Sequence, residues 1–281
     1  MLVYQQHRSV SFPHLQTHYS NTLNEGRRRD APNRGLSAWT VRKHHVIMRE
    51  ALAHAVKWGI IGRNVALAVD PPKPRKQPAY AMDSEAAHSI LTAAQGTVWH
   101  PIFHLALLTG LRKGKVLGLR WRDVDLDLAE LYIIQTLQKQ KGREISFQEP
   151  KTNGSRRPVV LSPVAAKELR AYKEKQESNL NTMGDVLTPK TLVFERADGT
   201  IPSPDSVTRA FAKFARRVGV PRVRFHDLRH THASLMLKSG VHPKIVSERL
   251  GHSSVSITLD VYSHVVPGHQ QAAAKTFYET L

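Results

Sequence analysis

Residues 226–232 read HDLRHTH, three histidines and one arginine in seven positions. Everything else in the chain has to be reconciled with what these side chains grip. His226 and His230 lie four apart, a spacing that lets two imidazoles on one helix face share a metal ion. Yet no glutamate stands where a metal-assisted hydrolase needs its base, and Arg229 falls on the same face. A guanidinium repels a divalent cation and cannot deprotonate to escape. An anion suits the group better, because Arg229 offers a forked donor and the imidazoles add N–H groups. A phosphate pocket therefore leads, with incidental polar residues on a helix and a metal pair as the other readings. His232 is left to packing or solvent.

Composition narrows the partner. The chain has 281 residues, room for two domains. Its hydrophobic content of 41% supports a real core. A formal charge of +18 and a pI near 10.3 favour a polyanion, nucleic acid above all. The chain contains no cysteine, which removes disulfides, thiolate zinc ligands and thiol nucleophiles. Neither a signal peptide nor a membrane span is evident, so an intracellular, cytoplasmic protein without membrane contact is expected.

Working outward from the heptapeptide, the chain reads as mainly α with a small antiparallel β-sheet, an α+β class. FPHLQTHYSNTLNEG looks helical, and Ser37 can cap a helix whose stripe is Val41, Met48, Leu52, Ala55 and Val56. DPPKPRKQP (70–78) holds four prolines and three basic residues without apolar periodicity. It marks a linker over 71–78 between a small helical domain, 1–70, and a larger one, 79–281. In the larger domain Asp83 caps a helix, and the apolar run PIFHLALLTG ends at Gly110. ELYIIQT, REISFQE and RPVVL read as three strands of one sheet, and LVFERADGT as a short hairpin. A helix opens at Ser162-Pro163 and runs to about Tyr172, and Val207, Phe211, Phe214, Ala215 and Val218 mark another. Helical pieces follow at 226–239, 243–250 and 254–264, and HQQAAAKTFYETL reads as a helical tail.

Four further segments change the weight of HDLRHTH. TGLRKGKVLGLRW puts Arg112 just past a glycine at a helix start, and KTNGSRR puts Lys151 where a strand enters a turn. LGHSSVSITLDVYSHV puts His252 at a tight turn and Tyr262 ten residues later. Together, and in this order, they resemble the tyrosine recombinase (phage integrase) family. Arg112 with Leu119 and Trp121 matches its first box, Lys151 its hairpin lysine, and His226 to His230 its H-x-L-R-H box. Leu250 to His252 matches its L-G-H box, and Tyr262 its nucleophile. The resemblance is close over 79–281 and looser over the first domain, around GLSAWTVRKHH.

The resemblance implies a catalytic domain preceded by a small helical, SAM-like core-binding domain. It implies a site-specific recombinase that cleaves and rejoins duplex DNA through a 3′-phosphotyrosyl intermediate. Catalytic roles fall to Arg112, Lys151, His226, Arg229, His252 and the nucleophile Tyr262, with His230 a helper behind them. Neither metal nor ATP is needed, and no cofactor is expected. The partners implied are double-stranded DNA carrying attachment sites, three further copies in a homotetramer on DNA, and a DNA-bending accessory protein. The setting implied is a prokaryotic or phage cytoplasm, close to the nucleoid. Thr40, Arg42 and Lys43 on the first strong helix are candidate DNA contacts. A type IB topoisomerase-like activity, or an impaired integrase remnant that only binds DNA, are the alternatives.

Two departures from the family pattern carry expectations. The family usually has an acidic residue three positions after the first-box arginine, and this chain has Lys115. Two charges 4 Å apart interact by roughly 4 kcal/mol at an effective dielectric of 20, so cleavage is expected to be slow unless Lys115 turns outward to DNA. The first domain is also short for its kind, which suggests N-terminal truncation.

Overall fold

A computed structural model describes residues 11–25, 35–74, 80–139, 142, 144–149, 158–196, 198–262 and 278–279. They form two compact units, 1–77 and 78–281. The first unit holds α1 (Phe12–Glu25), α2 (Ala38–Lys57) and a short 3-10 turn, Val65–Ala68. Ser37 caps α2 by accepting from the Thr40 amide at 3.2 Å, the bond expected of a serine at that position. Val41 and the half-buried Met48 and Leu52 face a core of Leu15, Tyr19, Ala66 and Val69. The stripe also includes His45, whose Nδ1 lies 3.2 Å from the Tyr19 hydroxyl, a polar pair inside an otherwise apolar face.

The second unit is built around α4 (His100–Thr109). Ile102, Phe103, Leu105, Ala106, Leu107 and Thr109 are all buried, so this helix is covered on most sides, as an apolar run demands. Phe103 packs edge-to-face on Phe211, Phe214 and Phe225 with centroids 5.2–6.0 Å apart. Around α4 stand α3 (Ser84–Ala94), capped by Asp83, the short α5 (Lys113–Leu117), α6 (Pro163–Thr182) and the amphipathic α7 (Pro204–Arg217). Then come α8 (Asp227–Lys238), α9 (Pro243–Leu250) and α10 (Val255–Tyr262). The expected tail helix lies outside the described residues except for Tyr278 and Glu279, which are helical.

The β-structure is antiparallel, as expected, but divides into two sheets. β2 (Glu130–Tyr132) lies between β1 (Val124–Asp125) and β5 (Pro158–Val160), with Leu131 opposite both Val124 and Val159. β3 (Thr136–Lys139) pairs separately with β4 (Ile145–Gln148), Leu137 opposite Phe147. ELYIIQT is therefore split between sheets. The split follows from Gln135, whose side chain donates to the Gly118 carbonyl at 2.8 Å and turns the chain onto α5. There Gly114 makes room, since a Cβ on it would stand 2.5 Å from the Leu137 carbonyl oxygen. β1 is too short for its periodicity to show in sequence.

LVFERADGT is not a hairpin of strands among the described residues. Leu192, Val193 and Phe194 are buried in succession instead of alternately, and Leu192 makes only an isolated bridge to Arg120. The segment then turns, with the Arg196 amide donating to the Thr200 carbonyl at 3.0 Å. α6 runs ten residues beyond the expected Tyr172, its second half anchored by one polar and one apolar side chain, Gln176 and Leu180. Buried Gln176 accepts from the Trp121 indole N–H at 2.7 Å and donates to the carbonyls of Leu192 at 3.2 Å and Glu195 at 2.8 Å. Gln176→Leu leaves those groups without their partner, at about 1–3 kcal/mol for each buried group stranded. Urea unfolding at neutral pH is expected to show that loss.

Candidate active site

Gly110 ends α4 in the left-handed region, φ +64°, with its amide donating to Ala106 at 3.0 Å. A Cβ there would meet the Leu250 side chain at 2.6 Å and the His232 ring at 2.7 Å, so glycine is required by conformation and by space. A helix end leaves its last carbonyls without intrahelical donors and carries partial negative charge. Here side chains from two other helices supply the donors. Arg229 Nη1 donates to the Gly110 carbonyl at 2.8 Å, Arg249 Nη2 to Leu108 at 3.2 Å, and the His232 ring bonds the Leu107 carbonyl. The chain leaves this crowned end through buried Leu111 to Arg112, which is extended, exposed and the N-cap of α5.

α8 starts where Asp227, fully buried, binds Arg224 through its backbone amide at 2.8 Å and its guanidinium at 3.1 Å. That clasp sets the helix so that His226 stands exposed at its N-cap and Arg229 is 3% exposed one turn in. His226 and His230 meet edge-to-face at 5.0 Å. Desolvation first, then the charges of His230, Arg229 and Arg112 against that of Asp227, pull the His226 imidazole down to about 4. Burial likewise lowers His230. Both rings are therefore neutral at neutral pH, each with one N–H and one acceptor nitrogen.

α9 ends at Gly251, φ +67°, and the next residue, His252, donates its amide to Ser247 at 3.0 Å. Its Nδ1 lies 2.8 Å from the hydroxyl of buried Thr258 on α10, which fixes the ring's orientation. Tyr262 is the last residue of α10; its backbone is helical and its side chain lies outside the described residues, as does Lys151 altogether. The fold thus gathers Arg112, His226, Arg229 and His230 around the end of α4. Lys115 is 6% exposed, which corrects the outward alternative: its side chain is buried, not turned to solvent. In the first unit Arg42 and Lys43 are exposed on α2, while Thr40 shares the cap through a 2.9 Å contact with the Ser37 hydroxyl.

The pairing of His232 with Arg249 beside Gly110 is not anticipated by the sequence reading. His232 is buried, its Nε2 accepting from Arg249 Nε at 3.1 Å. The available signal was spacing, since His232 follows Arg229 by three residues on a helix buried on most of its faces. Among the described residues no set of three His, Asp or Glu converges as metal ligands do, and no helix is long and apolar enough to cross a membrane.

The model for the phage integrase family matches residues 81–269. Among curated relatives, a tyrosine recombinase XerC-like protein of Caldanaerobacter subterraneus subsp. tengcongensis is 29% identical over 259 residues, 86% of this chain and 66% of the relative. The ICEBs1 integrase of Bacillus subtilis is 34% identical over 172 residues, 61% of this chain and 46% of the relative. The chain thus spans from just under half to about two-thirds of the length of these relatives. The Tn1549 transposon integrase in complex with a circular intermediate DNA shares the fold, with a TM-score of 0.77 at 18% identity over 96% of this chain and 86% of that one. A lambda integrase tetramer bound to a Holliday junction aligns with a TM-score of 0.62, at 18% identity over 90% of this chain and 65% of that one.

The buried imidazole has a measurable signature. Desolvation, then Arg249 and Arg229, lower His232 from 6.5 to about 4 against the bond to Leu107. Between those values the unfolded chain takes up a proton that the folded chain refuses, so stability falls as pH drops from about 6.5 towards about 4. His226 is open to solvent, so its contribution is screened. His232→Phe is expected to be less stable at pH 7 yet to lose less between pH 7 and pH 5 than the parent. Urea midpoints at the two pH values check this.

Proposed function

The chain belongs to the phage integrase family, and from that membership we propose that it is a site-specific tyrosine recombinase acting on duplex DNA. The observation that carries this reading is Arg229 donating to the carbonyl of Gly110, two residues before Arg112, so that both permanent cations act on the His226 ring. Such a pair suits a single phosphodiester, whose non-bridging oxygens gain charge when a nucleophile attacks.

In this reading the Tyr262 phenolate attacks the scissile phosphorus, and the bond to the 5′-oxygen breaks as the new P–O bond forms. Lys151 gives its proton to the departing 5′-oxygen. The neutral ring of His226 donates an N–H bond to the phosphate or passes protons, His252 offers a second imidazole for the same work, and His230 supports His226. One P–O bond replaces another, so a 5′-hydroxyl from a second duplex reverses the step and completes strand exchange without ATP or metal. Residues 1–70 serve as core-binding domain and 79–281 as catalytic domain, with Arg42 and Lys43 facing DNA. The DNA-bound and tetrameric relatives support a tetramer on paired DNA sites; a prokaryotic or phage cytoplasm near the nucleoid and a DNA-bending accessory protein belong to the same proposal.

Buried Lys115 favours one competing reading, a protein that holds DNA and no longer cleaves it. A pool of nicked duplexes with randomised cores separates the two. When cleavage releases a short fragment the protein stays joined to DNA, and the adduct survives denaturing electrophoresis. Capture that persists in chelator and vanishes in Tyr262→Phe is expected. Duplex binding with no adduct under any condition overturns the recombinase reading. Sequencing the captured duplexes yields the target. On that duplex Lys115→Glu is expected to speed capture by roughly tenfold or more, by restoring an anion near Arg112. An unchanged rate removes the electrostatic account of position 115.

A further inference from the structure

We propose that His232 and Arg249 are a positioning pair that sets the Arg112 side of the site and the His252 side in register. The proposal rests on the recombinase reading above and adds residues that the family motifs do not assign.

Arg249 immediately precedes Leu250-Gly251-His252, where another arginine near a phosphate site would be taken for a phosphate ligand. Its geometry directs two of its donors elsewhere. Nε donates to His232 Nε2 at 3.1 Å and Nη2 to the Leu108 carbonyl at 3.2 Å. Because Nε2 accepts, Nδ1 is the protonated nitrogen of His232 and serves the Leu107 carbonyl. The pair thus links α9, through α8, to two successive carbonyls at the end of α4.

Both of those helices lead directly into the site. Arg112 lies two residues past Gly110, and His252 lies three past Arg249. Gly110 sits against the His232 ring and the Leu250 side chain together, so neither helix end can shift alone without opening a gap or a clash. A phosphate gripped between Arg112 and His252 needs both at fixed spacing, and displacement on the order of 1 Å can cost on the order of a hundredfold in rate.

The test uses the full chain and the duplex recovered by covalent capture, in single turnover at saturating protein. His232→Phe keeps the ring's shape and loses both bonds, and Arg249→Met removes the donors. His232→Gln extends an acceptor to about the place of Nε2, so it keeps the bond to Arg249 and loses the one to Leu107. The capture rate is expected to fall on the order of a hundredfold in His232→Phe and Arg249→Met with duplex affinity unchanged, and His232→Gln to recover most of it. The double variant is expected to be no slower than the worse single one, since both act through one link. Capture rates indistinguishable from the parent overturn the proposal, as does a loss confined to the folded fraction or to affinity. If the parent itself captures no duplex, the recombinase reading fails and the pairing is still decided in the free protein. The His252 ring resonances then shift in Arg249→Met if the pair positions that residue, and stay unmoved if it does not.

Discussion

The end of α4 is the constraint on which the site depends. A buried helix has to terminate somewhere, and its last carbonyls need donors that water cannot supply inside a core. This chain meets the need with Arg229, His232 and Arg249, three side chains from α8 and α9. The partial negative charge of the helix end makes it a natural seat for cations. Satisfying that end also brings the arginine of the H-x-L-R-H box within one peptide of the segment that carries Arg112. Packing and chemistry are joined at Gly110, where a side chain of any size would separate them.

The electrostatics follow from the same arrangement. Arg112, Arg229 and Arg249 bring positive charge to the end of α4, and Asp227 on α8 is buried and occupied with Arg224. Histidines in such surroundings stay neutral, as the depressed values of His226 and His232 express. A neutral imidazole can both donate and accept, whereas a protonated one would add to the repulsion. In the recombinase reading proposed above, a phosphodiester entering this field meets donors that need little reorganisation.

Much of this was legible in the residues, because charged boxes and glycine punctuation leave strong local marks. The caps at Ser37, Asp83 and Ser162 and the helix stripes of α2 and α7 follow from short-range rules, and each is where those rules put it. What escaped depends on long-range partners. The division of ELYIIQT is imposed by Gln135 reaching Gly118, and the second half of α6 is anchored in part by Gln176 reaching Trp121. Neither contact has a periodic signature. The same holds at the site: HDLRHTH reads as an anion pocket, whereas only the fold shows that Arg229 gives a donor to Gly110 and that Lys115 is buried.

The heptapeptide now separates by depth. Positions 226, 229 and 232 are three apart, and at about 100° per residue each step drifts by about 60° around the helix. The first stands exposed at the N-cap, and the other two are both buried, one against Gly110 and one beside Arg249. A slanted stripe of this kind reaches from solvent to α9 in two turns of helix. It lets one short segment present a proton-handling ring to the open side, hold a cation at the peptide next to Arg112, and lock α9 in place behind both. His230, one turn from His226, thickens the exposed end of that stripe. In the proposed reading, substitution therefore acts on chemistry at the exposed end of the stripe and on geometry at its buried end.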